Sequence, residues 1–98
     1  MFTIQQTETF AQWLAELRDP RAKARIIARM QMAKLGHLGD VKPVGDGISE
    51  MRVDVGPGYR LYFARRRELI ILLLCGGDKA TQARDITRAK AMVRDLED

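Results

Sequence analysis

Hydrophobic and polar positions recur along the chain with two distinct periods, and each switch of period marks an element. Phe2 and Ile4 lie two apart, the spacing of a short strand over Met1–Gln5. From Phe10 the period lengthens: Phe10, Trp13, Leu14 and Leu17 stand at i, i+3, i+4 and i+7, one helical stripe. Thr7 precedes that stripe as an N-cap, and Glu8 follows in the first turn, where the helix dipole favours a carboxylate. Asp19-Pro20 restarts the chain as a second helix, with Asp19 as N-cap and Pro20 at the first helical position. Ala22, Ile26, Ile27, Met30 and Ala33 form its apolar face, basic residues take the other, and Gly36 ends it. Segment 36–47, punctuated by glycines and Pro43, reads as connector with at most a short strand at Val41–Val44. His37 lies here and reads as structural or simply exposed.

A period of two then returns. Met51, Val53 and Val55 point one way, and Glu50, Arg52 and Asp54 the other. Gly56-Pro57-Gly58 is a turn, after which Tyr59, Leu61 and Phe63 alternate with Arg60, Tyr62 and Ala64. A three-residue loop would set Val55 opposite Tyr59, Asp54 opposite Arg60 and Arg52 opposite Tyr62. Glu50, Arg52, Asp54, Arg60 and Tyr62 then share one surface of the hairpin, opposite the core. Arg65–Glu68 makes a charged turn. Leu69–Cys75 is apolar at every position, which predicts a central strand covered on both faces. Gly76-Gly77-Asp78 ends it, and Lys79–Glu97 reads as a helix with Ile86, Ala89, Val93 and Leu96 on its buried side. The element order is β-α-α-β-β-β-α, with no repeat and no linker, so residues 1–98 read as one α+β domain.

Composition narrows the function classes. Seventeen Lys and Arg against thirteen Asp and Glu give a net charge of +4, a mild excess that favours polyanionic partners. The excess is clustered: Arg18, Arg21, Lys23, Arg25, Arg29 and Lys34 over residues 18–34, Arg65–Arg67 at the charged turn, and Arg84, Arg88, Lys90 and Arg94 in the last helix. Such clusters also suit ordinary solvated faces. Cys75 and His37 are the only residues of their types, so neither an internal disulfide nor a Cys/His metal site is expected. The apolar runs are far shorter than the ~20 residues of a membrane helix, and polar residues interrupt the N-terminus too early for a signal peptide. A cytoplasmic protein without membrane contact or cofactor is expected.

No P-loop, dinucleotide fingerprint or nucleophile elbow is present. What the pattern offers instead is an arginine-bearing sheet face. Cleaving RNA requires that the 2′-hydroxyl lose a proton, the leaving 5′-oxygen gain one, and the phosphate's growing charge be neutralised. Arginine suits the last task, because its planar fork stays charged and grips two phosphate oxygens. Arg52 and Arg60 meet that need, Tyr62 beside them could stack on a base or donate a hydrogen bond, and Lys79 could approach the same surface. The same face reads equally as cross-strand ion pairs among Glu50, Arg52 and Asp54.

The stretch Gly56-Pro57-Gly58-Tyr59-Arg60-Leu61-Tyr62-Phe63, with Leu72–Gln82 and then Asp85-Ile86, resembles the HigB-like branch of the RelE/ParE toxin superfamily. The element order across the chain is similar as well. The resemblance implies a sheet of about four mainly antiparallel strands, helices packed on one side, and a concave basic face. It implies a type II toxin–antitoxin toxin: a ribosome-dependent mRNA endoribonuclease silenced by a helix-turn-helix antitoxin. Its partners would be that antitoxin, the ribosome and mRNA, with DNA reached only through the antitoxin. Arg60 matches the family's phosphate-contacting arginine, Arg52 a basic position on the preceding strand, and Lys79 one after the last strand. Glu50 completes the catalytic candidates, with Tyr62, Asp54, Asp78 and Gln82 as substrate-binding candidates. A gyrase-inhibiting toxin of the ParE type, or a non-toxic binding module, are alternatives on the same fold.

Overall fold

The computed structural model describes residues 1–97. Its elements are β1 (Thr3–Gln6), α1 (Glu8–Glu16), α2 (Pro20–Lys34), β2 (Val41–Gly45), β3 (Ile48–Val53), β4 (Tyr59–Arg66), β5 (Ile70–Asp78), a single 3₁₀ turn (Lys79–Thr81) and α3 (Gln82–Glu97). Five strands form one sheet in the order β1-β5-β4-β3-β2. β1 runs parallel to β5, and the other pairs are antiparallel. The fold is therefore α+β as expected, with β2 adding a fifth strand. No helix among the described residues is long and apolar enough to cross a membrane.

Local chemistry accounts for the boundaries. Thr7 Oγ1 accepts from Phe10 N at 3.0 Å and donates to Leu74 O at 2.6 Å, capping α1 while tying it to β5. Asp19 caps α2 through Arg21 N at 2.9 Å, ahead of Pro20. Beyond α2, Asp46 and Gly47 both take positive φ, the twist a tight β2–β3 turn requires. Pro43 is tolerated in β2 because that strand lies at the sheet edge.

The three helices divide between the two faces of the sheet, where one-sided packing was the expectation. On one face Phe10, Ile26 and Ala33 of α1 and α2 pack on Met51, Val53, Leu61, Phe63, Ile71 and Leu73. On the other, Ala89 of α3 meets Ile48, Tyr62, Leu72, Leu74 and Cys75, with Ile86 and Val93 beside it. β5 is apolar on both sides, so each side needs cover, and α3 supplies the second. Leu69, expected inside that strand, stays in the preceding turn and is 64% exposed.

Candidate functional site

The β3–β4 hairpin pairs two residues away from the expected register. Val53 faces Tyr59, Arg52 faces Arg60 and Glu50 faces Tyr62. Asp54–Gly58 forms a five-residue loop, closed by Val55 N donating to Val53 O at 3.0 Å and Gly58 N to Val55 O at 3.1 Å. A two-residue slip leaves every side chain on its face, because strands alternate with a period of two. Arg52 and Arg60 thus stand directly opposite each other on the α3 side of the sheet. Asp54 leaves the sheet altogether and is exposed, so it is no partner of Arg60.

Two arginines opposed across a ladder repel. The compensating charge is Glu50, on the same strand and face as Arg52. Its Oε1 lies 3.0 Å from Arg60 Nε, and its Oε2 3.8 Å from Arg52 Nε. Gln82, the first residue of α3, donates from Nε2 to Oε1 at 2.7 Å. Exposure is graded: the Glu50 side chain is 1% exposed, Arg60 13% and Arg52 33%. A carboxylate therefore forms the floor, Arg60 the wall and Arg52 the rim, with one positive charge in excess. Among the described residues neither Nε–H finds a hydrogen-bond acceptor, so each arginine is held by charge proximity. Among the described residues no ion pair beyond Glu50 engages either arginine. The arrangement suits reception of an oxyanion at the rim.

Burial overturns two expectations. Glu50 and Tyr62 do not face solvent; α3 covers both. Tyr62 packs under the helix and cannot stack on a base. Burial holds its phenol well above the ordinary value of 10.0, with the Glu50 and Asp85 carboxylates pushing the same way, so it stays neutral. Asp78 has a structural task. Its carboxylate accepts from Ala80 N at 2.9 Å and Thr81 N at 3.3 Å, capping the 3₁₀ turn ahead of α3. Lys79 is exposed, two rows along from Arg60: Arg60 pairs with Gly77, Tyr59 with Asp78, and Lys79 N donates to Gly58 O at 2.8 Å. Gln82 reaches the site through Glu50 and is a positioning residue.

Two contributors escaped the sequence pattern. Arg29, read as part of a solvated helix face, turns inward and donates from its terminal nitrogens to Arg52 O and, at 3.0 Å, to Leu38 O. It fixes the strand carrying Arg52 from the opposite layer. Asp85, noted only as part of a motif, is 2% exposed and accepts from Thr81 Oγ1 at 2.5 Å. Its signal is the paired glycine: a side chain at Gly77 would collide with the Asp85 carboxylate.

Fold and site together define a basic α+β domain: a mixed five-stranded sheet between two helical layers, with an arginine pair braced by a buried carboxylate. No family model matches the chain. It is 47% identical over 93 residues to an uncharacterized protein of Haemophilus influenzae, a match spanning 95% of this chain and 94% of that protein. The chain belongs to the same family as that protein.

Proposed function

We propose that this chain is the toxin of a type II toxin–antitoxin pair, a ribosome-dependent mRNA endoribonuclease neutralised by a helix-turn-helix antitoxin. The observation that carries the reading is the arginine pair, opposed on adjacent strands and oriented by one buried carboxylate. Such a pair is preorganised for the charge that grows on a phosphodiester during attack by its 2′-hydroxyl. The motif around Arg60 and the paired glycines, Gly76 and Gly77, that end β5 ahead of Lys79 support the same reading. Induction without antitoxin is expected to arrest growth, with transcript ends falling inside translated codons. Because Arg60 is largely buried against Glu50, the informative variants are Arg52→Gln and Arg60→Lys, which spare the packing. Each is expected to lower cleavage by about 100-fold, the scale of losing one transition-state donor. Arrested cells with intact transcripts would remove the proposal.

One observation favours a second reading. Glu50 is committed to the arginines and Tyr62 is enclosed, so neither is free to take the 2′-hydroxyl proton. A toxin that inhibits gyrase by protein contacts needs no such group. It predicts blocked supercoiling by purified gyrase with unbroken mRNA.

A further inference from the structure

β1 pairs with β5 only as far as Leu73. Beyond that point a cleft of about 350 Å³ opens between α1 and α3, within the ~300–1,000 Å³ of small-molecule sites. Trp13 and Tyr59 form its apolar corner, meeting edge to face with ring centroids 6.2 Å apart. Asp85 lines its depth. One carboxylate oxygen, Oδ2, is taken by Thr81; the other, Oδ1, is met among the described residues only by Arg84 Nε at 3.8 Å, beyond hydrogen-bond distance. That oxygen is open to the cleft and offers a charged acceptor to the N–H groups of a ligand seated there. Arg84 and Arg88 stand exposed at the mouth. Gly76 and Gly77 make the cleft possible, since a Cβ on the first would strike the Trp13 ring and on the second the Asp85 carboxylate.

We propose that this cleft binds the guanine ring of a nucleotide. Guanine alone among the four RNA bases presents adjacent donors, N1–H and N2–H₂, which suit the Asp85 acceptor. Adenine and cytosine place a ring-nitrogen acceptor beside their amino group, and uracil flanks its N–H with two carbonyls; each would set a lone pair against the carboxylate. Guanine O6 and N7 are the preferred acceptors for an arginine fork, which Arg84 or Arg88 supplies, and the aromatic corner receives the ring. The other arginine is left for the 5′-phosphate.

Guanosine 5′-monophosphate, titrated into the isotopically labelled chain, is expected to shift the amides of Trp13, Gly76, Gly77, Thr81 and Asp85. Calorimetry should rank it above the adenosine, cytidine and uridine monophosphates. Inosine 5′-monophosphate, which lacks only the N2 amino group, should bind about tenfold more weakly, the scale of one hydrogen bond to a charged group. Asp85→Asn should lose tenfold or more, and the inosine comparison needs no variant to fold. Equal binding of all four nucleotides, or shifts confined to other residues, overturns the proposal, as does silence toward guanosine 5′-monophosphate at millimolar concentration. A uridine tetranucleotide carrying one guanosine separates the sources: tighter binding than the free nucleotide assigns RNA, and weaker binding assigns a free nucleotide. Guanine binding here needs no RNA cleavage, so a failed growth-arrest experiment leaves this cleft untouched, and the reverse holds as well.

Discussion

Replacing Glu50 by glutamine removes one negative charge with almost no change of shape. In the native protein that charge lies 3.0 Å from Arg60 Nε in a setting where Glu50 is 1% and Arg60 13% exposed. Breaking a buried pair from one side typically costs ~3–5 kcal/mol, because the remaining charge is left uncompensated. Arg52 adds little, being a third exposed and 3.8 Å away, where solvent screens the pair. The low end, about 3 kcal/mol, is the expected loss. A chain of this size has a total stability of roughly 5–15 kcal/mol, so the variant stays folded at room temperature. With ~4–8 °C of melting temperature per kcal/mol, the midpoint should fall by about 12–24 °C. Urea melts followed by circular dichroism and by the fluorescence of Trp13 read the same change as a lower midpoint at constant slope. Asp54→Asn is the matched control: its carboxylate is exposed and outside the sheet, so its effect should stay within ~0.5 kcal/mol. Glu50→Gln should also tighten binding to a single-stranded oligonucleotide and steepen its salt dependence, as the local excess charge rises from one to two. Equal stabilities for the two variants would refute the buried-charge account.

Gly76→Ala should destabilise by ~1–3 kcal/mol, since the new methyl meets the rigid Trp13 ring; the check is a red shift of Trp13 emission together with a lower urea midpoint. Burial and the nearby Asp85 push the Cys75 thiol from 9.0 to about 11. The neutral form is therefore the one the fold prefers, and stability is complete below pH 9 and lost between about 9 and 11, by ~2–3 kcal/mol. Tyr62 extends the loss above pH 10, its ordinary value. Urea melts across this range should show Cys75→Ala with a shallower decline; an unchanged decline assigns the alkaline effect elsewhere. The arrest and cleavage phenotypes of Arg52→Gln and Arg60→Lys, and the nucleotide ranking at Asp85, complete the set.

Period and capping chemistry made most of the elements legible. Thr7, Asp19 and Pro20 start helices where those residue types satisfy the first free N–H groups, and Gly36 ends one with a positive φ. The face shared by Glu50, Arg52, Arg60 and Tyr62 was legible as well, because a register error of two leaves faces unchanged. The exact opposition of Arg52 and Arg60 was not. It depends on whether the loop takes three residues or five, and Gly56 and Gly58, both at positive φ, permit the longer path. Solvent access was misread for a reason visible in the chain. Leu72, Leu74 and Cys75 need cover on the second face, and a helix placed over them extends across the neighbouring strands onto Tyr62 and Glu50.

The same coverage explains how a strand surface holding two like charges can be rigid. Arg29 from α2 holds the backbone of Arg52 from one layer, and Gln82 from α3 holds the carboxylate of Glu50 from the other. Lys79 N, bonded to Gly58 O, ties the start of the last helical segment to the hairpin loop. The pair is thus positioned from both helical layers, Arg52 through Arg29 and both arginines through Glu50 and Gln82, while the charge it carries is only partly spent on Glu50. Tight support with incomplete neutralisation is what an anion receptor requires: loose arginines would lose entropy on binding, and fully paired ones would have no charge left to offer. Substituting Arg29 or Gln82, neither of which supplies a charge to the rim, should therefore weaken anion binding by loosening the pair.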